Sequence, residues 1–192
     1  TNQDTCITCP AGSGSRAGST SEHACAACGK GKYRVKGMTD CTICAAGTYT
    51  LDQKTCISCP AGTYLVDKAT AADKHDALAD CIVCAAGKYS TVVKQTTDCI
   101  DCPKGTYNAK DASAAANHDK LDDCTNCAAG KYSVVTKQTS DTCISCAIGK
   151  FGKPAGTGGN GTNADAKADC TICAAGTYVA TAAQTACIDC PK

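Results

Sequence analysis

The stretch Cys84-Ala85-Ala86-Gly87-Lys88-Tyr89-Ser90-Thr91-Val92-Val93-Lys94-Gln95-Thr96-Thr97-Asp98-Cys99-Ile100-Asp101-Cys102 sets the fold class. A Cys-x-x-Cys pair ends at Cys84, a glycine follows three residues later, and an aromatic follows two after that. The segment from Lys88 to Val93 is rich in β-prone residues, and the polar run Lys94–Asp98 turns the chain toward Cys99-Ile100. It reads as a two-stranded ribbon, with Gly87 at a bend requiring φ > 0.

The same reading extends over the whole chain. All 20 cysteines fall in Cys-x-x-Cys pairs: Cys6/Cys9, Cys25/Cys28, Cys41/Cys44, Cys56/Cys59, Cys81/Cys84, Cys99/Cys102, Cys124/Cys127, Cys143/Cys146, Cys170/Cys173 and Cys187/Cys190. The glycine follows each of the first nine pairs. All seven Tyr and the single Phe, Phe151, occupy the aromatic slot, which Gly14 takes in the first unit. No aromatic is left to line a separate pocket.

Two kinds of pair alternate, Cys-x-x-Cys-Ala-Ala-Gly and mostly Cys-Ile-x-Cys-Pro-x-Gly. Pair starts are 15, 18, 19 and 17 residues apart in one direction and 25, 25 and 27 in the other. This predicts modules at 1–40 (atypical), 41–80, 81–123, 124–169 and 170–192 (truncated). The expected fold is small and disulfide-rich, an elongated tandem array of short β-hairpin modules with little regular helix. In the long connectors His75 aligns with His118. Ala-rich runs there suggest one or two helical turns with Thr70 and Ser113 as N-caps, and the Gly-rich stretch 153–169 reads as a loop.

Composition explains why staples are needed. Leu, Ile, Val and Phe number 22, about 11% of 192 residues, below the ~20% usual for a packed globular protein. A 15-residue loop closed by a disulfide contributes about 3 kcal/mol, so stapled modules can fold with little core. A net charge of +1 without basic runs argues against nucleic acid or an anionic membrane surface as partner. No apolar run approaches the ~18 residues of a membrane span. The start at Thr1 without Met reads as a processed or excised segment.

Structural disulfides, zinc and redox catalysis compete for the cysteines. Inter-pair spacings of 11 to 23 residues do not settle on a tetrathiolate site, and only Cys28 is followed directly by glycine. No βαβ unit is visible to activate a redox pair, so disulfides in an oxidising compartment are expected for all twenty. The favoured pairing is first-to-third and second-to-fourth: Cys41–Cys56 with Cys44–Cys59, Cys81–Cys99 with Cys84–Cys102, and so on, with Cys6–Cys25 and Cys9–Cys28 in the first module. A daisy chain, each second cysteine bonded to the next first one, stays open and would leave Cys6 and Cys190 for outside neighbours. The histidines are His23, His75 and His118; the recurrence of His75 and His118 in one connector slot reads as duplication of a solvated residue, with a metal role as the alternative. The acidic clusters Asp73/Asp76/Asp80 and Asp119/Asp122/Asp123, which lack calcium-loop spacing, also read as solvated. Asn160-Gly161-Thr162 is a possible glycosylation sequon. No catalytic motif is visible, so neither an enzyme nor a cofactor is expected; zinc is the alternative.

The units Cys-x-x-Cys-(Ala/Pro)-x-Gly-(Thr/Lys)-Tyr, from Cys6 to the C-terminus, resemble the surface immobilisation antigens of ciliates. Variant surface proteins of parasitic protists and ephrin-receptor-like ectodomains are also similar. The resemblance implies a non-enzymatic, GPI-anchored coat protein of the cell surface, its partners being other coat proteins or copies of itself, with membrane contact only through an anchor outside this segment. A receptor or adhesion ectodomain is the alternative. No nucleic acid and no small-molecule substrate are expected.

Overall fold

The computed structural model describes residues 9–15, 25–36, 38, 40–152 and 164–192. The chain divides into two compact units, one of Thr1–Ile82 with Val92–Asp98, the other of Val83–Thr91 with Cys99–Lys192.

In both units the repeating element is a two-stranded antiparallel ribbon. One strand is the pair of residues ending at the aromatic, and its partner is the x-x of the next Cys-x-x-Cys. In the first unit Tyr33 faces Thr42 and Tyr49 faces Ile57. In the second, Tyr89 faces Ile100, Tyr107 faces Thr125, Tyr132 faces Ile144, Phe151 faces Thr171 and Tyr178 faces Ile188. The ribbon expected between Gly87 and Cys102 is therefore present, and the long connectors close ribbons as well.

The glycine after each pair makes the bend. Gly12, Gly31, Gly47, Gly62, Gly87, Gly105, Gly130, Gly149 and Gly176 all have φ between 70° and 85°, a region closed to most L-residues. At Gly47 and Gly87 there is a second reason: a Cβ would lie 2.6 Å from the carbonyl oxygens of Lys94 and Lys137, respectively.

Among the described residues the long connectors make short 3-10 turns and no α-helix: Ala72–Lys74, Leu78–Asp80, Ala115–Asn117, Leu121–Asp123 and Lys167–Asp169. The last lies in the stretch expected to be loop. Neither expected N-cap holds: Ala71 and Ala114 occupy the cap positions, without a side-chain bond. Thr70 instead donates its hydroxyl to Asp67. The turns before the cysteines are tied from the other end. Asp80 accepts from the Asp76 and Ala77 N–H groups, both at 2.9 Å, Asp123 from Lys120 at 3.0 Å and Asp169 from Ala166 at 2.8 Å.

The core is sulfur packed on tyrosine. Tyr49, Cys59, Leu65 and Cys81 form one buried cluster, and Tyr132, Cys146 and Cys170 another. Most large aliphatic side chains are outside, among them Leu51, Val92, Val93, Ile100, Val135 and Ile188. Little apolar surface is left to bury, and the disulfides and backbone bonds hold what the aliphatic side chains do not.

Candidate functional site: the disulfide chain and the hairpin joints

Among the described residues nine disulfides are formed: Cys9–Cys25, Cys28–Cys41, Cys44–Cys56, Cys59–Cys81, Cys84–Cys99, Cys102–Cys124, Cys127–Cys143, Cys146–Cys170 and Cys173–Cys187. This is the daisy chain, and it overturns the first-to-third, second-to-fourth pairing. The reason is the pleat. Side chains of an extended segment alternate faces, so the two sulfurs of a Cys-x-x-Cys, three residues apart, point to opposite sides. One bonds back within its own hairpin and the other forward to the next. The rejected pairing needs both sulfurs on one side. Cys190 carries an exposed free thiol, and Cys6 lies outside the described residues, as do His23 and Asn160.

Consecutive hairpins are joined by a repeated set of backbone bonds. The carbonyl of the bend glycine accepts from the second cysteine of the pair that closes its hairpin, as in Cys59 N–H to Gly47 O and Cys102 N–H to Gly87 O, both 2.8 Å. The residue after the aromatic then reaches the next loop. In the first unit Arg34, Thr50 and Leu65 donate their N–H groups to the carbonyls of Gln53, His75 and Gln95 at 3.0, 2.9 and 3.0 Å. In the second, Ser90, Asn108, Ser133 and Gly152 donate to His118, Gln138, Ala164 and Gln184 at 2.8, 3.0, 2.7 and 2.9 Å. Short loops thus present a glutamine, and long loops a histidine or alanine. Every one of the donor residues is buried. Sequence reading recognised the β-propensity of this slot but not its role, because the residues that fill it, Arg, Thr, Leu, Ser, Asn and Gly, share no chemistry. The glutamines were the available signal: four of the five fall in short loops.

His75 and His118 are not solvated; each is fully buried, with 0% relative exposure. His75 Nδ1 donates to Thr48 O at 2.7 Å, and Nε2 lies 2.9 Å from an Asp67 carboxylate oxygen. His118 Nδ1 lies 2.9 Å from Lys88 O and 3.2 Å from Asn108 Nδ2, and Nε2 lies 2.9 Å from Asp111 O. Each ring thus clamps the first strand of the preceding hairpin, since Thr48 and Lys88 stand just before the aromatic. The Thr70 hydroxyl, and after it His75, holds the Asp67 carboxyl well below the usual carboxylate range. The Ser113 hydroxyl and N–H lower Asp111 in the same direction. At the first joint of the first unit Arg34 is buried, its guanidinium donating to Cys9 O at 2.6 Å and Pro10 O at 3.3 Å.

The acidic clusters do not converge. Asp80 and Asp123 are engaged by their own turns, and among the described residues no group of three or more His, Cys, Asp or Glu side chains could hold a metal ion. No helix among them is long and apolar enough to cross a membrane.

The geometry is that of a cysteine-rich repeat. The sequence model of a family described as tyrosine-protein kinase ephrin type A/B receptor-like matches residues 70–118 and 159–192. The chain is similar to that family over these two segments. The first runs from the loop that carries His75 to His118, and the second ends with the hairpin closed by Cys173–Cys187. No curated protein matches the sequence. Repeated disulfides and the ephrin-receptor-like repeat together fit an extracellular or cell-surface cysteine-rich protein.

Proposed function

We propose that the chain is a non-enzymatic coat protein of the cell surface, working as a stapled scaffold that displays a variable exterior. The supporting observation is a division of labour. The joints are made by main-chain groups and by buried residues, whereas Leu51, Val92, Val93, Val134 and Val135 are exposed loop positions. Exposed positions of this kind can change without disturbing the staples. No residue is assigned a catalytic step, and no cofactor is required. The partners in this reading are neighbouring coat proteins or further copies of the chain, and the tether is a glycolipid anchor outside this segment.

A receptor or adhesion ectodomain is the second reading, favoured by the ephrin-receptor-like match at residues 70–118 and 159–192. Antibody labelling of intact expressing cells, before and after a phospholipase that cleaves glycolipid anchors, separates the two. The coat reading expects abundant surface label that the enzyme releases. Label retained after treatment favours the receptor reading, and label found only after permeabilisation overturns both. Thiol counting with metal analysis on the denatured native protein addresses the zinc alternative, which requires about one zinc per two cysteine pairs.

A further inference from the structure

The hairpin closed by Cys190 repeats the joint of every earlier hairpin, except that nothing docks on it. At the seven joints from Arg34 to Gly152 the residue after the aromatic donates its N–H to the next loop. Val179 holds that position in the last hairpin. It is 4% exposed, and no carbonyl among the described residues accepts from its N–H. Burying an N–H without a partner is costly, so such groups are rare in folded chains. The bend glycines agree. A Cβ at Gly31, Gly47, Gly87 or Gly130 would run into a loop carbonyl, that of Ala72, Lys94, Lys137 or Ala183, whereas at Gly149 or Gly176 it would meet nothing within 4 Å.

The joints already made show what fits there. The short loops present the carbonyls of Gln53, Gln95, Gln138 and Gln184. The fifth glutamine of the chain is Gln3, in Asn2-Gln3-Asp4-Thr5-Cys6. Gln53 and Gln184 each stand three residues before the cysteine that bonds the donor hairpin's closing cysteine, in Cys44–Cys56 and Cys173–Cys187. Gln3 stands three before Cys6, and Cys6 and Cys190 are the two cysteines outside the nine bridges. Asn2 also suits the place before the glutamine, where Lys94, Lys137 and Ala183 take φ of 57–61°, since asparagine tolerates that region better than most residues.

We propose that the last hairpin docks the N-terminal segment Asn2–Cys6 of a second copy of this chain, whose Gln3 carbonyl accepts from the Val179 N–H and whose Cys6 bonds Cys190. The proposal deepens the reading of further copies as partners and rests on that reading for its oxidising setting. The bond forms by exchange with a small-molecule disulfide. The Cys190 thiolate attacks one of its sulfurs and expels a thiolate; the second copy's Cys6 thiolate attacks Cys190 Sγ and expels the other. Two thiol protons are released, and the small disulfide takes up two electrons.

The test incubates the disulfide-bonded chain, mixed one to one from ordinary and nitrogen-15-labelled preparations, with oxidised glutathione. Non-reducing digestion should yield Cys6–Cys190 peptides with half of the links between differently labelled chains, well in excess of Cys190–Cys190. The Val179 amide should exchange about tenfold more slowly in the linked species, the effect of one buried N–H gaining an acceptor, while the Ser90 amide stays level. Deleting Thr1–Asp4 should slow linking about tenfold although Cys6 remains. Cys190→Ser should abolish the link and leave the other nine bridges intact. Glutathione adducts without linked chains, links within one chain only, statistical Cys190–Cys190 pairing, or an unchanged Val179 amide would each overturn the proposal. Surface labelling is read separately: monomers on labelled cells sink this proposal alone, and linked chains found only inside cells sink the coat reading.

Discussion

The connector between Cys59 and Cys81 and the one between Cys102 and Cys124 are built to one plan. Both disulfides span 22 residues, both connectors make two 3-10 turns, and both bury a histidine completely. Each ring meets a carbonyl of the preceding hairpin at Nδ1, yet Nε2 meets the Asp67 carboxylate in the first connector and the Asp111 backbone carbonyl in the second. The connector between Cys146 and Cys170 goes further. Ala164 takes the histidine's place, 1% exposed, and its carbonyl still accepts from Ser133 at 2.7 Å. What all three share is therefore the main-chain bond to the preceding hairpin. The ring is an addition to that bond, and its chemistry has been free to diverge.

The staples should carry the largest effect in this comparison. Removing Cys59–Cys81 or Cys102–Cys124 by paired Cys→Ala substitution should cost about 2–5 kcal/mol each, with equal losses because the loops are equal. Removing Cys44–Cys56, which spans 12 residues, should cost ~0.5 kcal/mol less than either in the chain-entropy treatment. Thermal denaturation of the three variants checks this, and unequal losses for the two long loops would show that the connectors are not energetically equivalent. The next effect belongs to the rings. His75→Ala and His118→Ala should each cost roughly 2–4 kcal/mol, combining a cavity with unpaired buried carbonyls. Ala164→His should also destabilise, by about 1–3 kcal/mol through overpacking, if the third joint has closed around alanine. The turn-capping aspartates come third. Asp80→Ala should cost about 1 kcal/mol, and Asp123→Ala a few tenths less, since Asp80 accepts two N–H groups and Asp123 one.

The ribbons and their glycine bends were legible in the sequence because both depend on local chemistry: β-prone residues beside the aromatic, and a residue free to take φ > 0 after each pair. The connectivity was not legible. Spacing alone leaves the two pairings open, and only the alternation of faces along an extended Cys-x-x-Cys chooses between them. His75 and His118 were misread for a different reason. Their neighbours Asp76 and Asp119 are polar and suggest a solvated turn, while the groups that make burial tolerable are the carbonyls of Thr48, Lys88 and Asp111, distant in sequence or invisible in residue type. A buried polar ring satisfied by main chain leaves no pattern to find. The two compact units likewise have no composition break at their boundary, which passes between Ile82 and Val83 inside a Cys-x-x-Cys.

The smallest effect separates the two histidine connectors on the acid side. The Thr70 hydroxyl and then the His75 ring stabilise the ionised form of Asp67, putting its folded value below the ordinary 3.8. A carboxyl depressed in this way contributes stability that is present above its unfolded value and lost as pH falls toward the folded one. Asp111 is depressed as well, by Ser113 first, but His118 binds its backbone oxygen and not its carboxylate. Acidification should therefore loosen the Thr50 amide before the Ser90 amide. Asp67→Asn should remove that difference, whereas Asp111→Asn should leave the Ser90 amide as protected as before. Amide exchange measured from pH 5 downward would show it, and equal acid sensitivity at the two amides would mean that the carboxylate is not what distinguishes the joints.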